Sequence, residues 1–129
     1  MNNDPLANAL SKILNAEKIG KRDCELTPSS KVLTKILDIM QANNYIEKYE
    51  VVNNGKGGLV KVSLNGRINN CNVIKPRLPV KKDGYEKFEK RHLPAKDFGV
   101  IIVTTPKGIM THNEAKEKGF GGSLLAFIY

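Results

Sequence analysis

Two stretches near the start of this chain, DPLANALSKILNAEKIGKR and SSKVLTKILDIMQANN, repeat apolar residues at helical spacing, and soon afterwards that spacing gives way to short β-type runs. An amphipathic helix needs a partner for its apolar stripe, so the change of period calls for helices laid on a sheet. In the first stretch Asp4 and Pro5 supply a cap and a first-turn residue. Leu6, Leu10, Ile13 and Leu14 form the core face, and Gly20 ends the helix. In the second, Ser29 or Ser30 is the cap and Val32, Leu33, Ile36, Leu37 and Met40 fill the inner face. RDCELTP between them reads as extended. YIEKYEVV and GLVKVSL read as strands joined by the hairpin signal NNGKGG. The predicted order is helix, strand, helix, strand, strand: an α+β lobe over residues 1–66, with two helices on one face of a three-stranded sheet.

Residues 67–129 have a different texture and predict a mainly β lobe with one short helix. The segment from Gly66 to Gly99 contains Pro76, Pro79 and Pro94 and is expected as short extended pieces joined by exposed loops. VIIVTT is a buried strand. THNEAKEKG is a short helix with the T-x-x-E capping signature of Thr111 and Glu114, closed by Gly119. SLLAFIY is the last strand. The 129 residues suit one compact unit or two small lobes leaning on each other.

Charge is distributed as unevenly as texture. The chain holds 21 Lys and Arg against 13 Asp and Glu, a net charge of +8. Between Lys56 and Lys96 lie eleven basic residues and three acidic ones, while the rest of the chain carries ten of each. Such a belt attracts a polyanion, or serves only as a solvated surface. Cys24 and Cys71 are far apart and lack any metal-ligand spacing, so reduced thiols are expected, with no metal and no cofactor. No apolar run approaches the roughly 20 residues of a membrane span. The N-terminal MNNDPLANAL has no basic region leading into an apolar one, and a cytoplasmic protein is expected.

No catalytic constellation is present. GFGG follows a helix, the wrong order for dinucleotide binding, and no Walker, HExxH or GxSxG motif occurs. Thr104 with His112 and Glu114 lacks a third group and an oxyanion loop. The chain therefore does not read as an enzyme.

Several features suit RNA. VTTPKG ends a strand with two hydroxyls, a lysine and a glycine: hydroxyls reach sugars and base edges, lysine meets phosphate, and glycine permits close approach. A plain Pro-Lys-Gly turn explains the same letters. Asn8, Ser11 and Asn15, continued by Lys18, line one side of the first helix. Ser30 and Lys31 stand at a helix start, where capping or anion binding is served. Tyr85 and Phe88 lie among lysines and an arginine, either to stack on RNA or to anchor the loop in the core.

These residues carry a resemblance. DPLANALSKILNAEKIGKR, PSSKVLTKILDIMQANNYI, LNGRINNCNVIKPR, LPAKDFGVIIVTT and GIMTHNEAKEKGFGGSLLAFIY together cover nearly the whole chain, which resembles the small-subunit ribosomal proteins of the S-eight family in their archaeal and eukaryotic form. The resemblance implies direct binding to the central domain of small-subunit ribosomal RNA, early in assembly. It also implies an α+β N-terminal lobe and a mainly β C-terminal lobe. The main RNA contacts would fall at Thr104, Thr105 and Pro106 with Lys107 and Gly108, beside the pair Gly121 and Gly122, and the N-terminal lobe would add Ser30 and Lys31. Two departures stand out: Pro106 occupies the place of a third hydroxyl, and Ser123 that of a glutamate common in bacterial members. The expected partners are small-subunit ribosomal RNA and neighbouring ribosomal proteins, with no membrane, and the free chain is expected to be a monomer. The competing reading is a protein-interaction module whose basic belt meets an acidic protein.

Overall fold

The computed structural model describes residues 5–26, 31–52, 58–74, 78–95 and 98–129. It is α+β, and it divides into two compact units, Met1–Asn70 and Cys71–Tyr129.

The first unit runs α1 (Pro5–Lys18), β1 (Asp23–Leu26), α2 (Lys31–Ala42), β2 (Ile46–Val52) and β3 (Leu59–Leu64). The sheet is antiparallel in the order β1-β3-β2. On the central strand, Val60, Val62 and Leu64 are buried while Lys61 is exposed, the period-two signature of a sheet covered on one face. Leu10, Ile13, Ile36, Leu37 and Met40, each fully buried, are the helical side of that core. Leu6 and Leu14 are only half-buried, and Val32, expected on the inner face of α2, is exposed. Asp4, Ser29 and the turn of the β2–β3 hairpin lie outside the described residues. Gly20 has φ 76 and stops α1, with the Lys21 amide donating to the Ala16 carbonyl at 2.9 Å. The Glu17 carboxylate of α1 accepts from the amides of Gly66, at 3.2 Å, and Ile68, at 2.8 Å. This carboxylate holds the stretch after β3, where the composition changes, against the first unit.

The second unit runs β4 (Cys71–Val73), β5 (Pro79–Val80), α3 (Tyr85–His92), β6 (Val100–Thr105), β7 (Gly108–Thr111), α4 (His112–Lys118) and β8 (Gly122–Ile128). Its antiparallel sheet has the order β4-β8-β6-β7, with β5 also paired to β8. The apolar run of β6 is the most buried strand because it is paired on both sides. Ile101 and Val103 from β6, Leu124 from β8, Tyr85 and Phe88 from α3 and Ala115 from α4 share one core cluster. The helix α4 is as expected: Thr111 Oγ1 accepts from the Glu114 amide at 3.2 Å, and Gly119 closes the helix at φ 75. The Glu114 side chain does not complete a capping box but pairs with Lys118 one turn on, at 3.1 Å.

Helix α3 corrects the expectation of extended pieces and loops, and gives the lobe a second helix where one was expected. Tyr85, Phe88 and Glu89 recur at i, i+3 and i+4 and are all buried, so the stretch is amphipathic with a carboxylate in an apolar position. That carboxylate is satisfied inside: Glu89 Oε1 meets Lys116 Nζ at 2.6 Å and His112 Nε2 at 2.9 Å. The imidazole is 1% exposed, and its Nδ1 accepts from the Ile101 amide at 3.0 Å. An amide can only donate, so Nδ1 carries no proton and the ring is neutral, with its hydrogen on Nε2 directed at Glu89. Burial holds its pKa below the usual histidine value, against the opposing pull of Glu89.

Candidate nucleic-acid interface

The TTPKG stretch is a two-residue hairpin. Thr105 pairs with Gly108 across β6 and β7, which leaves Pro106 and Lys107 as the loop. Neither loop residue takes a positive φ; Gly108 does, at 123. Proline suits the second position of such a turn because its fixed φ is already the required one, and glycine suits the fourth. A proline at position 106 therefore has a local reason.

The two threonines have different duties, because successive side chains of a strand point to opposite faces. Thr105 faces the turn and is 8% exposed. Its Oγ1 accepts from the Lys107 amide at 3.1 Å and donates to the Gly108 carbonyl at 2.9 Å. This hydroxyl ties the loop and is not free for a ligand. Thr104 is half-buried on the other face, and its hydroxyl makes no hydrogen bond among the described residues. Opposite it on β8 stands Ser123, also half-buried. Paired residues of a ladder share a face, so two short hydroxyls lie side by side at the foot of the hairpin.

The glycine pair is forced by the protein's own backbone. A Cβ on Gly122 would collide with the Thr104 carbonyl oxygen and come within 3.2 Å of Thr105 Cα. A Cβ on Gly121 would lie 2.7 Å from the Val80 carbonyl oxygen and 3.2 Å from Lys81 Cα. These approaches seat Lys81 and Lys82, both exposed, beside the base of the hairpin, while Lys107 is exposed at its tip. Three exposed lysines thus lie on backbone segments next to the hairpin or at its tip, with Asp83 following in the turn that leads to α3.

The remaining candidates fall elsewhere. Tyr85 is fully buried, with its hydroxyl donating to the Phe120 carbonyl at 2.8 Å, so it offers no face to a base. Phe88 is 6% exposed and is overlain by Lys87 Nζ at 5.2 Å and by the Arg91 guanidinium carbon at 5.7 Å from its ring centre. Both aromatics serve the core, and stacking on RNA is corrected to bracing from within. In the first unit, Asn8, Ser11 and Asn15 are exposed on α1 away from its buried face, and Lys31 is exposed at the first residue of α2. Ser30 lies outside the described residues. Ser123 is the residue that motif reading left without a role, since only the β6–β8 register brings it to Thr104.

Among the described residues no group of acidic, histidine and cysteine side chains is arranged to hold a metal ion, and no helix is long and apolar enough to cross a membrane. A family model described as Ribosomal protein S8 matches residues 4–129. With nearly every residue matched, the chain belongs to the ribosomal protein S8 family, structural rather than enzymatic proteins of the small ribosomal subunit that bind its RNA beside other ribosomal proteins.

Proposed function

We propose that this chain binds the central domain of small-subunit ribosomal RNA directly, early in assembly, through the β6–β7 hairpin and the start of β8. The reading is carried by Thr104: a half-buried hydroxyl without a hydrogen-bond partner among the described residues, paired across the ladder with Ser123, in a unit that exposes Lys81, Lys82 and Lys107. A wide, shallow RNA minor groove presents sugar hydroxyls and base edges to such donors and acceptors, and phosphates to the lysines. Thr105, Pro106 and Gly108 hold the loop in shape, Gly122 sets the distance of β8 from Thr104 and Thr105, and Gly121 admits the Val80–Lys82 backbone. Asn8, Ser11, Asn15, Lys31 and Ser30 supply further contacts from the first unit. The free protein is, on this proposal, a cytoplasmic monomer of the archaeal and eukaryotic form.

The test is a binding comparison at fixed salt between a central-domain fragment of small-subunit RNA and an unrelated hairpin of equal length. The fragment is expected to bind more tightly by on the order of 100-fold or more. Equal affinities would overturn the reading.

A further inference from the structure

Helix α3 presents a surface that the hairpin site does not use. Tyr85, Phe88 and Glu89 face inward, so the helical wheel turns Lys87, Lys90 and Arg91 outward together, within about 6 Å of helix axis. All three are exposed, and none forms a salt bridge among the described residues. The helix carries two acids, but only Glu86 is exposed. Glu89 is turned into the core, where Lys116 and His112 occupy it. The outer face therefore carries three cations against one exposed acid, Glu86, which stands one turn before Lys90, and it is positive by two charges.

Two of its cations are also held. Lys87 and Arg91 lie over the Phe88 ring, which draws them electrostatically through its negative face. Long basic side chains lose much rotamer freedom when they grip a ligand, and a cation already resting on a ring loses less. An ordinary solvated face needs no such restraint. A cluster of three cations with a planar guanidinium among them fits the closely spaced phosphates of a nucleic-acid strand.

We propose that α3 is a second RNA contact, a phosphate clamp preset by Phe88, which adds affinity without sequence preference. The proposal rests on the RNA-binding reading of the hairpin but has its own observable. Lys87→Gln, Lys90→Gln and Arg91→Gln are combined in one variant, and binding to both the central-domain fragment and the unrelated hairpin is followed as a function of salt. Loss of two to three phosphate contacts should reduce the slope of log affinity against log salt by about 1.5–2.5 on both RNAs, with the ratio of their affinities unchanged. Lys90→Glu, which alters a single exposed side chain, should shift the slope in the same direction by about 1 and controls for misfolding of the triple variant. Phe88→Leu should weaken both RNAs about two- to fivefold at constant slope, and Phe88→Tyr, which keeps a ring, should restore the affinity. Unchanged slopes in the triple variant and in Lys90→Glu would overturn the clamp and leave an acidic protein surface as the partner of this face. The slope is read on both RNAs, so absence of any preference in the wild-type protein would defeat the hairpin reading alone.

Discussion

Thr104 and Thr105 are neighbours in sequence with separate consequences. Thr104→Ala removes a hydroxyl that holds nothing within the described structure, so the melting temperature should stay put while affinity for the central-domain fragment falls about five- to tenfold, roughly 1 kcal/mol. Thr105→Ala removes two hydrogen bonds from a buried turn and should lower stability by about 1–2 kcal/mol in a denaturant titration, with Thr105→Ser close to wild type. Equal effects of the two changes on stability would mean that the division of faces is wrong. His112 sets a pH dependence. Its folded-state pKa lies below the ordinary value of about 6.5, so below that pH the unfolded chain binds a proton that the folded chain refuses. Stability should then decline as pH falls under 6.5, by up to about 1.4 kcal/mol per unit from this residue. Lys116 and Glu89 are the charged groups facing it. Denaturant midpoints at pH 7 and pH 5 should show a smaller drop for His112→Gln than for the wild type. Cys24 behaves in the opposite sense: burial first, then Asp23 and Glu17, push its thiol up to about 11, so alkylation at neutral pH should be slow.

Among the elements, β8 is the one whose position decides the site. Gly122→Ala would drive β8 away from the Thr104 carbonyl, and a cost of about 1–3 kcal/mol is expected together with loss of specific RNA binding. Retention of full affinity would show that the spacing of β6 and β8 is immaterial to recognition. The elements differ in how far they could be read in advance. Helix α4 was legible because its determinants are local: Thr111 caps it, and Gly119 takes the left-handed conformation that stops it. Helix α3 was not. Its first residue follows Gly84, which makes no side-chain cap, and a buried glutamate stands where a third apolar residue would have completed the pattern. That glutamate is intelligible only once Lys116 and His112, more than twenty residues on, are folded against it. The site divides in the same way. The loop's hydroxyls, lysine and glycines are visible as letters, but which threonine is free depends on hairpin register, and register is a property of the paired strands.

For the molecule as a whole, charge rather than shape governs the encounter with RNA. The excess of +8 lies entirely between Lys56 and Lys96 in the sequence, and a net positive chain attracts a polyanion before any contact forms. Association with any RNA should accelerate sharply as salt is lowered, whereas the ratio between cognate and unrelated RNA should change little, because the proposed hydroxyl contacts are short-ranged. Stopped-flow rates over a salt series would check this. A preference that disappeared together with the salt-dependent rate would place discrimination in the field itself. Bound RNA should also raise the unfolding midpoint, since a ligand at 100 times its dissociation constant adds about 2.7 kcal/mol to the folded state.

The opposed faces of β6 carry a consequence for descent. A residue that ties a turn answers only to its own chain, while one that touches RNA answers to another molecule with a history of its own. Substitutions at position 105 should stay within serine and threonine across related chains, whatever the RNA does. On the proposed contact, those at positions 104 and 123 should drift jointly, in step with compensatory changes in the nucleotides opposite them.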